Sequence, residues 1–137
     1  MRRMKYVGLA ATMLAMLGTA HAASAAENVV TQKNVSFVSG GVALDSRERL
    51  QAQEKEFNLK LVFTLVEGNY LADISVRIAD TAGKTLIEHV ADGPFFMARL
   101  PVGTYSVAVA YEGNAQNRMV KVGGGLRTEH FRWRSNP

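Results

Sequence analysis

The sequence predicts an all-β fold, an antiparallel sandwich of about seven strands with one short helix near its start. Three observations carry this. From residue 59 onward apolar and polar residues alternate with a period of two, so each segment has one apolar face. Clusters of Gly, Asn, Asp and Pro interrupt the alternation at intervals of roughly 8–12 residues, too close for crossover helices. Helical patterning is confined to one stretch, 45–57.

Residues 1–25 read as a separate unit. Arg2, Arg3 and Lys5 precede an uncharged apolar run from Tyr6 to Ala20. Ala20-His21-Ala22 and Ala23-Ser24-Ala25 follow. This is the pattern of a secretory signal peptide, cleaved after Ala22 or Ala25. The run of about fifteen residues falls short of the roughly 20 that span a bilayer, which argues against an anchor. No Cys lies near the cleavage site, so a lipoprotein anchor is excluded. The expected location is the periplasm or the outside of the cell. No later stretch is long and apolar enough to span a membrane.

The leader accounts for the apparent basicity. The chain has 16 Lys and Arg against 12 Asp and Glu, a net charge of +4. Three of the bases lie in the leader, which leaves 13 bases against 12 acids. A near-neutral exported domain gives no reason to expect a nucleic-acid partner. Cysteine is absent, which removes thiol catalysis, Cys-based zinc sites and disulfides.

Residues 26–44 form an N-terminal segment, either a frayed tail or a first edge strand over Asn34-Val35-Ser36-Phe37-Val38. Residues 45–137 form the sandwich domain with its leading helix at 45–57. Asp45 and Glu48 have capping-box spacing. Leu50 and Phe57 lie two turns apart on one side, and the remaining surface is charged or polar. Asn58 stops the helix. Leu59, Leu61, Phe63 and Leu65 make the next apolar face, and Glu67-Gly68-Asn69 turns the chain. Ile74, Val76 and Ile78 follow, and Asp80-Thr81-Ala82-Gly83 is a tight turn. Strands at 85–90 and 95–100 are joined through Asp92-Gly93-Pro94. The clearest strand comes next, with Tyr105, Val107, Val109 and Tyr111 on one face. Val120 and Val122 mark another strand, Gly123-Gly124-Gly125 breaks the chain, and Phe131 and Trp133 share a face of the last.

Three of these segments have a familiar order. Ile74-Ser-Val-Arg-Ile-Ala-Asp80-Thr-Ala-Gly83-Lys, then Asp92-Gly93, then Leu100-Pro-Val-Gly103-Thr-Tyr105-Ser-Val-Ala-Val resembles the carboxypeptidase regulatory-like domain. The likeness covers roughly residues 59–123. It implies a Greek-key sandwich of the transthyretin, or prealbumin, type. The family occurs as a module in many secreted bacterial proteins and brings no catalytic residues of its own. The helix at 45–57 and the strand at 126–133 lie outside the usual module and suggest a stand-alone variant. Gly103-Thr104-Tyr105 entering a strand resembles a tyrosine corner, whose phenol bonds an upstream backbone group.

Candidates for chemistry are sparse. His89 and His130, with Met97 or Met119, would need to come together to hold copper or zinc, and no ligand spacing supports that. Ser106, His89 and Asp92 supply the residue types of a hydrolase triad without the local signature. Asp73, Asp80 and Asp92 sit at strand starts and turns, where Asx turns explain them better than calcium does. Gly40-Gly41 before the helix resembles an anion cradle, but Asp45 places a carboxylate there.

The expectation is a non-enzymatic exported module that needs no cofactor and binds a protein or cell-envelope component. A periplasmic glycan- or small-anion-binding protein is the alternative. The residues singled out for a ligand or partner surface are Arg47 and Arg49 on the helix, and the aromatics Tyr70, Phe95 and Trp133, with Phe96 a further candidate.

Overall fold

In a computed structural model the chain is described at Glu27, 29–32 and 35–135. The predicted leader and Asn34 lie outside the described residues. Among these, β1 (Val30–Gln32) and β2 (Val35–Gly40) precede α1 (Leu44–Ala52) and a 3₁₀ turn, Glu54–Glu56. β3 (Leu59–Leu65), β4 (Ile74–Asp80), β5 (Thr85–Ala91) and β6 (Phe95–Arg99) follow. β7 (Gly103–Tyr111), β8 (Asn114–Val122) and β9 (Arg127–Trp133) complete the fold.

The strands form two sheets, ordered β1-β2-β6-β3-β9 and β5-β4-β7-β8. The all-β sandwich is therefore the observed architecture. Strand pairing is antiparallel apart from β3 with β9, which runs parallel from Leu59 opposite Arg127 to Leu65 opposite Trp133.

Alternation decides which faces meet. Leu59, Leu61 and Phe63 of β3, Phe96 and Ala98 of β6, and Phe131 of β9 turn inward and are fully buried. Ile74, Val76 and Ile78 of β4 and Val107 and Val109 of β7 meet them from the other sheet. Burial of these apolar side chains is the main force joining the layers. A smaller cluster lies on the outer face of the first sheet, where Leu50 and Phe57 cover Val38 and Met97. Part of the sheet's second face is thus sealed by Leu50 from α1 and by Phe57, which directly follows the 3₁₀ turn.

Turn chemistry follows the residues. The Asp80 carboxylate accepts from Ala82 N at 3.0 Å and Lys84 N at 2.9 Å, and Gly83 takes φ +86. Gly93 is required for another reason. A Cβ there would collide with the Gly40 backbone, where the β5–β6 connection crosses the end of β2. The Tyr105 hydroxyl donates to the Pro101 carbonyl at 2.6 Å, so the tyrosine corner is formed.

Four expectations need correction. The strands number nine among the described residues, because β1 and β2 both form ahead of the seven marked from residue 59 onward, and β1 is too short to show a pattern. The edge strand of the N-terminal segment is β1, whereas β2 is buried between β1 and β6. The regular helix ends at Ala52, and only the 3₁₀ turn carries the chain on to Phe57. Asp45 does not cap it. Ala43 is the N-cap, without a side-chain bond, and Asp45 lies in the first turn. Ser46 instead accepts from Gly41 N at 2.9 Å and donates to Glu27 Oε2 at 2.6 Å. No helix of the described residues is long and apolar enough to cross a membrane.

Candidate ligand cleft

The cleft forms where α1 stops covering the outer face of the first sheet. On β3, Lys60 points outward between the buried Leu59 and Leu61. On β6, Phe95 stands opposite Val62 of β3 and Gly40 of β2. Beyond Phe95 the chain after β3 folds back on itself. Leu65 N donates to Asn69 O at 2.8 Å and Leu71 N to Phe63 O at 3.1 Å. These bonds pin Tyr70 opposite Thr64, in line with Phe95. The helix supplies the other wall with Leu44, Arg47, Glu48, Leu50 and Gln51, enclosing about 310 Å³.

The rings and cations are interleaved. Tyr70 and Phe95 are tilted at 59° with centroids 5.4 Å apart. The Arg47 guanidinium lies 5.0 Å from the Tyr70 centroid, and Lys60 Nζ lies 5.0 Å from that of Phe95. Both separations allow cation–π attraction. Arg47 is also tethered from behind, since Nη1 donates to Gly41 O at 3.0 Å and Val42 O at 3.4 Å. Lys60 is paired with Glu54. Arg47 has no ion pair among the described residues. Tyr70 stays 51% exposed.

Of the residues singled out from sequence, Arg47, Tyr70 and Phe95 meet here. Arg49 does not join them. Its Nε and Nη2 donate to both Glu27 oxygens at 3.0 and 2.8 Å, and Nη1 reaches Asp45 at 3.3 Å. That fork draws the Glu27 carboxyl down from 4.5 to about 2 against the opposing effect of burial. Trp133 belongs to the core. It is 5% exposed, packs on Phe63 and Tyr111, and donates to Asn114 O at 2.9 Å. Phe96 is fully buried too. Lys60 and Gln51 were missed. Lys60 looked like the ordinary solvent side of a strand, and Gln51 like a solvated helix face.

The other candidates disperse. His89 lies on β5 at one side of the sandwich, and His130 on β9 at the other. His130 Nε2 is 2.8 Å from Thr64 Oγ1, and burial with the nearby Arg132 and Arg118 charges lowers its pKa. Among the described residues no three His, Asp or Glu groups gather as a metal would require. Ser106 lies on β7, whereas Ser39 sits between His89 and Asp92. Ser39 Oγ donates to Asp92 Oδ1 at 2.8 Å and is 3.4 Å from His89 Nε2. A nucleophilic triad needs the hydroxyl on the imidazole and the carboxylate behind it. Here the carboxylate holds the hydroxyl.

A larger depression of about 550 Å³ lies on the outer face of the second sheet, floored by Ser75, Ala108 and Ala110. Small side chains make its floor, and Arg77, Glu88 and His89 line it as well, but no Phe, Tyr or Trp ring does. The α1 cleft, with mixed rings, charges and an amide, is the better site chemically. The chain matches no protein-family model and no curated protein sequence.

Proposed function

We propose that this chain is an exported, non-enzymatic β-sandwich module that binds a cell-envelope component through the cleft beside α1. The leader pattern at 1–25 supports export. The likeness to the carboxypeptidase regulatory-like domain supports a binding module, and the sandwich is of the expected class. The observation that carries the reading is the clamped Arg47. It is held by two carbonyls and an aromatic ring, without a counter-ion among the described residues, beside a half-exposed Tyr70. A side chain positioned at this cost in conformational freedom is pre-organised for a ligand. The Ser39 bond to Asp92 argues against hydrolysis by a triad.

Sedimentation with isolated envelopes of the producing cell tests this, using chain exported and processed in that cell. The expected result is binding that falls at least tenfold in Arg47→Gln and Tyr70→Ala and is unchanged in Met119→Ala. Met119 is exposed on the far sheet. Equal binding by all four proteins, or none by the unaltered chain, would remove the cleft from the function.

A further inference from the structure

We infer that the ligand of this cleft is an acidic saccharide, a sugar ring carrying a carboxylate. The inference rests on the cleft being the ligand surface and names what fills it. Arg47 indicates the carboxylate. Its Nη1 is occupied by the Gly41 and Val42 carbonyls. The Nε–Nη2 edge has no hydrogen-bond partner among the described residues, and that edge grips a carboxylate with two parallel bonds. Arg49, two residues on, shows the geometry in the same helix, since its Nε and Nη2 hold the two oxygens of Glu27.

Tyr70 and Phe95 indicate the ring. A sugar offers polarised C–H groups on one face and hydroxyls around its edge. Aromatic faces are electron-rich and suit the first. Glu48 and Gln51, at i and i+3 on α1, share a helix face and suit the second, one as acceptor and one as both. A bare anion would leave the rings and the Glu48 and Gln51 side chains unused. A peptide is disfavoured by the backbone. β3 and β6 are interior strands, paired on both sides, so the cleft floor has no free edge to which a peptide strand could add. About 310 Å³ is at the small end of ligand sites, which fits one or two rings.

A glycan array decides the matter. It carries oligosaccharides of galacturonic, glucuronic and mannuronic acid, N-acetylmuramic acid and N-acetylneuraminic acid, each beside its carboxyl-reduced neutral form. The expected result is saturable binding to at least one acid, at least tenfold tighter than to its neutral form. Arg47→Lys, which keeps the charge and loses the fork, should weaken it at least tenfold, and so should Tyr70→Ala. Excess acetate should not displace it. Circular dichroism matching the unaltered chain shows that both variants fold. Binding to none of the acids, equal binding of acid and neutral forms, or displacement by acetate overturns the inference. If cleft-dependent envelope binding persists in any of those cases, the module reading stands and only the sugar is lost. If sugar binds while envelopes do not, the failure lies in the envelope reading.

Discussion

Tyr105 was legible as a corner because three features coincide: a turn built on Pro101, a Gly at 103 and an inward position in the strand. Its hydroxyl donates to Pro101 O in a site where burial and the Asp80 charge raise the phenol pKa. Tyr105→Phe leaves that carbonyl short of a partner and should cost about 1 kcal/mol or more in urea denaturation. Trp133 shows the same inward alternation, and that pattern places it in the core instead of on a ligand or partner surface. Glu27 was not legible, because its partners come from a helix some twenty residues on and nothing local marks the pair. Its folded pKa lies below the usual value, so it stabilises the fold above about pH 4.5 and loses that effect as pH falls towards 2. Glu27→Gln should lower the urea midpoint at pH 7 and flatten its decline between pH 4.5 and 2. An unchanged acid limb would show that the Arg49 pair contributes nothing to folding.

Elements were more legible than their ends or partners. Alternation marked β3, β4 and β7 because one face of each is buried against the other sheet. It could not show that β9 runs parallel to β3, since a period of two reads the same in both directions. α1 was recognised from its composition, but its start was placed on the wrong residue. Asp45 matched the capping spacing, yet Ser46 is committed to Gly41 and Glu27, and the chain enters the helix one residue earlier than Asp45. The exposed Ala43 already has extended backbone at φ −100, ψ 159. Ala43→Ser should therefore supply the missing cap and stabilise the protein by about 1 kcal/mol, read from the thermal or urea midpoint. No gain would mean that the first-turn N–H groups already have partners enough. The cleft was half legible for a related reason: Arg47, Tyr70 and Phe95 each stood out, and Glu67-Gly68-Asn69 marked a turn, but nothing in it showed that the chain folds back on β3 to align Tyr70 with Phe95.

At the scale of the molecule, stability and the proposed function are unevenly distributed. The sandwich core joins both sheets, and its far side is stitched by Gln116, Arg118 and Trp133. Gln116 and Arg118 reach the β9 carbonyls of Arg132 and His130, and Trp133 reaches Asn114. The α1 and 3₁₀ segment rests on a separate small cluster of Val38, Leu50, Phe57 and Met97. A segment with so little buried area opens before the rest. Native-state hydrogen exchange in low urea should show amides at 44–57 exchanging with lower free energy and a shallower urea slope than those of β3, β4 and β7. Leu50→Ala should lower the α1 values by about 2–5 kcal/mol, the usual cost of such a truncation. One common isotherm for helix and strands would show instead that α1 and the sandwich unfold as a unit. The distinction bears on binding, because α1 is the cleft wall that carries Arg47, Glu48 and Gln51. A ligand that bridges this wall to Tyr70 and Phe95 must hold α1 closed, so its binding free energy should appear as added protection at 44–57 and not at amides limited by local fluctuations elsewhere.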